Sequence, residues 1–269
     1  RGQDKAAVGE SPTLRSSTIY LHGTIGLPIA MFGYPVGVWI PAFYAGELGV
    51  TLAAVGTMIM LARLTDVVTD PLIGTVSDRT RMKLGRRKPY MLLGLIPLMI
   101  GVTFLFMPDR LGFEEVGMGY LLLFMSVMFL GSTLIYIPYF AWGAELSPDY
   151  HERSRITASR EVFVLVGLMV AALIPYLVET GDRANPAPVM YALGLTILIL
   201  TPLFVFLVCW RVPEAENPQT QDIPILKGFK IVAKNGPLVR VFLILLIVTG
   251  GESFRNALSL FFMRDVIGI

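Results

Sequence analysis

Apolar residues run along this chain in seven long segments separated by polar stretches. They fall at about residues 19–44, 51–76, 90–107, 116–142, 158–178, 188–210 and 238–262. Each is long enough, at 1.5 Å per residue, to cross a hydrocarbon core of ~30 Å as a helix. The first holds Pro28, Pro35 and Pro41 and many glycines. That content breaks a helix in water, but inside a bundle neighbouring groups satisfy the freed backbone. Residues 1–18 are polar and read as a tail, without the short apolar core of a cleavable signal peptide. Between the last two segments, DIPILKGFKIVAKNG has helical spacing, with Lys227, Lys230 and Lys234 on one face and Leu226, Phe229 and Val232 on another. It reads either as a helix on an anionic membrane surface or as a solvated connector.

Composition agrees with the pattern. Of 269 residues 54% are hydrophobic and only 16% charged, where soluble domains run to roughly a quarter charged. Mean hydropathy is +0.66, so the chain reads as an all-α integral membrane protein. The single Cys209 excludes an internal disulfide framework and a cysteine-rich metal site. His22 and His151 lie far apart and form no ligand cluster. His22 reads as a packed or backbone-bonded histidine rather than a proton relay.

The net charge of +2 says little, but its distribution says more. Seventeen lysines and arginines fall in the tail, the 2–3 and 4–5 connections and the 6–7 linker, against Arg110 and Arg183 on the opposite side. Such a bias places the N-terminus in the cytoplasm of a multi-pass protein of the inner (plasma) membrane. Trp39, Trp142 and Trp210 fall near the expected span ends, as interfacial tryptophans do.

One stretch carries the candidate chemistry. In RLTDVVTDPLIGTVSDRTRMKLGRRKP, residues 63–89, the spacing puts Arg63, Asp66 and Asp70 on one face of the second helix. The two carboxylates are ~6 Å apart along its axis. Ionised groups in a membrane helix are costly and face a bundle interior or an aqueous cavity. Such a pair can be neutralised by a bound sodium ion, by a proton on one member, or by pairing with Arg63. The first two are coupling chemistry and the third is a structural clamp. Pro71 and Gly74 follow, and then a cationic hairpin with Arg79, Arg81, Lys83, Arg86, Arg87 and Lys88 against Asp78.

LARLTDVVTDPLIGTVSDRTRMKLGRRKP, IYIPYFAWGAELSPDYHERSR and FFMRDVIG, in that order, resemble the glycoside–pentoside–hexuronide:cation symporters. These are the melibiose-permease-like branch of the major facilitator superfamily. The Gly74-x-x-x-Asp78-Arg79…Gly85-Arg86-Arg87 pattern is similar to that superfamily's 2–3 loop motif. The resemblance runs from about residue 20 to the end. It implies the major facilitator fold, with twelve helices in two six-helix halves around a central cavity. By that measure the chain is the N-terminal six-helix half plus helix seven. It would comprise a cytoplasmic tail (1–18), a six-helix bundle (19–210), an inter-half linker (211–237) and the first helix of the C-terminal bundle (238–269). The chain thus reads as truncated, lacking the C-terminal helices that transport needs.

The resemblance also implies roles. Asp66 and Asp70 match the family's cation-binding carboxylates, Thr133 a threonine beside the cation, and Arg160 an arginine lining the sugar cavity. Arg63 matches an arginine one turn before the carboxylates and is expected, with Arg160 and Tyr136, in the substrate cavity. Gly74, Asp78, Arg79, Gly85, Arg86 and Arg87, with Glu145 and Arg153 of the 4–5 connection, are the expected cytoplasmic gating motif. Ordinary positive-inside charge is the competing explanation for the individual arginines. In two places the chain departs from galactoside-transporting relatives: Pro28 and Tyr136 stand where those have sugar-binding aspartates. This leaves Tyr136 as a cavity candidate, argues against a melibiose-like galactoside, and makes proton coupling a rival to sodium. Tyr139, Phe140 and Trp142 crowd the same helix end, where ring stacking on a sugar, helix packing and an interfacial belt compete, the belt being preferred for Trp142. Glu252, Arg255 and Asn256 cluster in the seventh segment as an intrahelical pair or a substrate contact.

The expected function is therefore cation (Na⁺ or H⁺) symport of a sugar, glycoside or sugar acid by alternating access. No enzymatic activity, no cofactor beyond the coupling ion and no nucleic-acid partner are expected; the partners are a small solute and the bilayer. The alternatives are a lysolipid or amphiphile carrier of the same superfamily, a membrane-embedded Mg²⁺-dependent transferase, and a non-transporting sensor or assembly subunit. The transferase needs a second aspartate-rich run, which the sequence lacks.

Overall fold

A computed structural model describes residues 14–46, 48–113, 116–178, 186–214 and 225–262, without the side chains of 225, 226, 229 and 253–262. The chain divides into two compact units, Arg1–Pro218 and Gln219–Ile269.

The first unit is a helical bundle. Its elements are α1 (Ser16–Gly23), α2 (Gly26–Gly46), α3 (Leu52–Arg79), α4 (Lys88–Phe106), α5 (Met118–Glu145), α6 (Tyr150–Val178) and α7 (Ala187–Arg211). Counting α1 and α2 as one span, six helices among the described residues are long and apolar enough to cross a membrane. In the second unit, α8 (Ile225–Lys234) precedes α9 (Gly236–Phe262), which holds the seventh apolar segment. Asn235 Oδ1 caps α9 by accepting the Leu238 N–H at 3.2 Å.

Two boundaries differ from the hydrophobic pattern. The first segment is not one continuous helix. Pro28 has no N–H for the Thr24 carbonyl four residues back, and its ring crowds that carbonyl. Leu27 N–H takes the Thr24 carbonyl instead (3.1 Å), while the N–H and hydroxyl of Thr24 both close on Leu21 (3.2 and 2.7 Å). The second difference is α6, which starts at Tyr150 rather than near residue 158. Asp149 Oδ1 accepts the Glu152 N–H at 2.8 Å, an N-cap that winds two polar turns ahead of the apolar run.

The core lies between α2, α4, α5 and α7. It includes Met31, Phe32, Ile40 and Phe43 of α2, Leu98 and Leu105 of α4, Met125, Met128 and Phe129 of α5, and Met190, Leu193 and Ile197 of α7, all buried. Small residues set the helix separations, since lipid supplies no hydrophobic drive and close backbone contact must do so. A Cβ at Gly131 would overlap the backbone of Leu98, and one at Gly167 would overlap the Leu27 carbonyl. The first contact brings α5 against α4, and the second brings α6 against α2.

By contrast, α3 and α6 bury few residues. Leu64, Val67, Val68 and Leu72 of α3 are exposed, as are Val162, Leu165, Met169 and Leu173 of α6. The interfacial expectation for Trp142 is corrected here. It is fully buried, and its indole N–H donates to the Pro213 carbonyl at 3.2 Å. Trp210, at 73% exposure, does lie on the surface.

Replacing Gly131 by alanine should destabilise the bundle by about 1–3 kcal/mol through overpacking. Gly119→Ala, on the same helix but in open space, should be neutral or slightly stabilising. Thermal unfolding in detergent tests the pair: equal melting temperatures would disprove the tight α4–α5 contact.

Candidate functional site: the polar constellations of the bundle

Two polar constellations lie on α3, about twelve residues apart. The first is at its C-terminal end, where the basic loop begins. Arg87, the residue before α4, has a side chain only 3% exposed. Its guanidinium pairs with Asp78 Oδ1 at 2.5 Å and Glu145 Oε1 at 2.6 Å, and Nη1 donates to Ser77 Oγ at 2.8 Å. Arg86 reaches the other Glu145 oxygen at 2.7 Å. Burial alone disfavours the Arg87 charge. The hydrogen bond and charge of Glu145, followed by Asp78, outweigh it and hold the guanidinium above its ordinary range.

A residue that the sequence reading missed completes the cluster. Glu214, just past α7, accepts the backbone N–H of Arg86 at 2.7 Å and that of Arg87 at 2.5 Å. It therefore binds the amides leading into α4, which are otherwise without helical partners, where a negative charge is favoured. Gly85 makes this possible. Its φ is +102°, and any Cβ there would overlap the Glu214 carboxylate. One carboxylate thus ties the end of α7 to the 2–3 loop. The signal for it in the sequence was slight: one acid in a linker, 127 residues from its partner.

The other expected gating residues are placed differently. Arg79 is exposed at the end of α3. Gly74 faces α5, where an added Cβ would meet Ile137 at an ordinary 3.7 Å. Arg153 does not join the Glu145 cluster. It donates to the Ser147 and Pro148 carbonyls of its own loop, at 2.8 and 3.2 Å.

The second constellation is the acidic pair. Asp66 Oδ2 lies 3.9 Å from Arg63 Nη1, a loose pair, while Arg63 also sits over the Phe129 ring at 4.4 Å. Asp66 Oδ1 is buried without a hydrogen-bond partner, and so is the Tyr136 hydroxyl. Asp70 is half-buried and, among the described residues, makes no hydrogen bond or ion pair. Thr133 is buried on α5, the helix against which α3 packs, and no hydrogen bond joins it to either aspartate. Among the described residues no group of three or more His, Cys, Asp or Glu is arranged to hold a metal ion. Pro71 leaves the Val67 carbonyl without its helical donor at the level of the two acids. The acidic pair is thus partly enclosed, with one loose ion pair to Arg63 and one buried carboxylate oxygen without a hydrogen-bond partner.

A third group of polar residues lies where α1, α5 and α6 meet. Arg160 pairs with the neighbouring Glu161 at 2.7 Å and lies 4.9 Å from the Phe140 ring centroid. His22 is packed, as expected, but not through a ring hydrogen bond: only its backbone carbonyl is engaged, accepting from the Tyr139 hydroxyl at 3.0 Å. The side chains of Arg255 and Asn256 lie outside the described residues.

Replacing Glu214 by glutamine should cost about 1–2 kcal/mol, the difference between charged and neutral acceptors. Local opening of the loop should rise by roughly the same factor, about 5–30-fold, exposing it to protease. Trypsin cleavage after Arg86 and Arg87 reads this; an unchanged cleavage rate would remove Glu214 from the clasp.

Comparisons with known proteins bear on the whole constellation. An uncharacterized symporter of Bacillus subtilis is 28% identical over 85% of this chain and 50% of its own length. The glucuronide carrier protein homolog of Escherichia coli is 26% identical over 88% of the chain and 52% of its own. The sodium-dependent lysophosphatidylcholine symporter 1 of mouse is 25% identical over 80% and 47%. The chain spans about half the length of these curated relatives. A family model described as MFS/sugar transport protein matches residues 21–268. Helices able to cross a membrane six times, and a model match over nearly the full chain, make this a multi-pass membrane protein of the MFS/sugar transport family, a family of transporters and not of enzymes.

Proposed function

We propose that the chain forms the N-terminal six-helix half, the linker and the first helix of the second half of a cation-coupled symporter. Its solute is a sugar, glycoside or sugar acid. The observation that carries this is the acidic pair of α3, where Asp66 Oδ1 is buried and unpartnered inside a membrane-length helix. At ~6 Å and an effective dielectric of ~20, two ionised carboxylates repel by about 3 kcal/mol. The Arg63 contact at 3.9 Å offsets that repulsion at the same dielectric, at about 4 kcal/mol, but it leaves Asp66 Oδ1 unpartnered and makes no ion pair with Asp70.

A proton or a sodium ion is the missing positive partner. Asp66 and Asp70, with the Val67 carbonyl of the same helix and Thr133 of the helix packed against it, would offer the hard oxygen atoms that sodium prefers. Binding the ion removes the penalty for enclosing the pair. The ion therefore favours whichever transporter state excludes water, which couples its gradient to the solute. Arg160 and Tyr136 serve the solute, and Arg63 orients the pair. The Arg86, Arg87, Asp78, Glu145 and Glu214 clasp closes the cytoplasmic end in one state and opens in the other. The positive-inside bias supports that orientation in the plasma membrane.

A second reading, a lysolipid or other amphiphile carrier, is supported by the mouse relative named above. Solute counterflow separates the two: exchange of labelled sugars but not of lysophosphatidylcholine supports the first, and the reverse supports the second.

In the whole transporter, Asp70→Asn should abolish accumulation against a gradient while downhill exchange of the same solute persists. Uphill uptake at the wild-type level would remove the acidic pair from coupling.

A further inference from the structure

α8 (Ile225–Lys234) has no part in the function proposed above beyond lying in the linker. Its sequence, ILKGFKIVAK, contains three lysines and no acid. At 3.6 residues per turn Lys227, Lys230 and Lys234 share one face, and Ile225, Phe229 and Val232 fall opposite them. The three lysines are exposed, and among the described residues none is in an ion pair.

The joint to α9 fixes the level at which this helix lies. A single residue, Asn235, separates the two helices. Its N–H donates to the Val232 carbonyl at 3.0 Å and so ends α8. Its carbonyl accepts the Val239 N–H at 2.9 Å, and its side chain accepts the Leu238 N–H at 3.2 Å, which begins α9. Every one of those groups is in use, and no slack is left between the helices.

Further along α9, Val241, Phe242, Leu243, Ile244, Leu245, Leu246, Ile247 and Val248 follow one another, all exposed. A helix apolar on every side needs an apolar surround, which a membrane span has. Asn235 stands six residues before Val241, about 9 Å along the axis. The headgroup layer between hydrocarbon and water is itself about 5–8 Å thick. The end of α8 is therefore at that layer, too close to the bilayer for a connector surrounded by water. An amphipathic helix at this level lies flat, with its apolar face in the acyl boundary and its cations toward the phosphates. Neutral headgroups would leave three clustered charges without counter-charge, whereas anionic ones supply it.

We propose that α8 is a docking helix for anionic phospholipid in the leaflet where α9 begins. Lys227, Lys230 and Lys234 meet the headgroups, and the opposite face rests on the acyl chains. The positive-inside bias makes that leaflet the cytoplasmic one. The proposal rests on α9 being a membrane span and not on the solute or the coupling ion.

A nitroxide at Val232→Cys reads the depth of the apolar face, in the whole transporter with Cys209→Ser and no other cysteine. Nanodiscs of phosphatidylcholine, with or without phosphatidylglycerol, supply the two surfaces. With phosphatidylglycerol the label should be open to oxygen and shielded from a water-soluble nickel chelate. Without it, nickel access should rise several-fold. Lys227→Gln, Lys230→Gln and Lys234→Gln together should restore that access even with phosphatidylglycerol, each lysine being worth about five-fold in partition. Nickel access that is the same in both discs, high or low, overturns the anionic-lipid assignment. Shielding from nickel and oxygen alike shows a protein surface over this face, from this chain or a second copy, and overturns it too. Ala233→Cys is a second reporter should Val232→Cys fold poorly. A label at Ile244→Cys tests the span alone: nickel access there removes the span reading and the proposal with it, while a shielded Ile244→Cys label beside an open Val232→Cys label removes only the proposal.

Discussion

A guanidinium can be buried beside a membrane only if acceptors converge on it, and Arg87 is where this bundle meets that demand. Its side chain is 3% exposed and is held by Ser77 and Asp78 of α3 and Glu145 of α5. The backbone N–H of the same residue is held by Glu214. Four helix ends are therefore placed with respect to one residue: the end of α3, the start of α4, the end of α5 and the exit of α7. Removing any one acceptor leaves a charge short of compensation in a site with little water, which is far costlier than losing an exposed pair.

Stability and candidate chemistry are unevenly shared among the helices. α2, α4, α5 and α7 bury the large apolar side chains, and glycines bring α4 close to α5 and to α7. α3 and α6 bury little, yet carry Arg63, Asp66 and Asp70 on one and Arg153 and Arg160 on the other. Thinly packed elements open at low cost, so polar groups with unmet partners belong on them. The acidic pair and Asp78 are also parts of a single helix, about 18 Å apart along its axis at most. Pro71 and Gly74 lie between them, where the helix has lost a hydrogen bond.

The polar groups of α3 illustrate the two ways a membrane protein treats charge. At the helix end, every oxygen of Glu145 has an arginine, and the cluster is nearly closed, with Arg87 Nε the buried atom left without a partner. In mid-helix, Asp66 keeps one oxygen unpaired, and Arg63 divides its charge between a carboxylate and a ring. A closed network fixes structure, and an open one invites a ligand.

Much of the fold was legible in the chain because hydropathy and charge add up locally. Segment lengths, basic connections and the face shared by Arg63, Asp66 and Asp70 follow from helical spacing and need no knowledge of neighbours. The break after Gly23 was half legible: Pro28 warned of it, but only the hydrogen bonds of Thr24 show where the helix parts. Partner choice was not legible. Nothing local distinguishes Glu214 from any linker acid, and nothing local sends Trp142 inward to Pro213 or Arg153 to its own loop. Those outcomes depend on which surfaces meet across more than a hundred residues, and in a bilayer that is decided by close backbone approach and by the need to satisfy each buried charge.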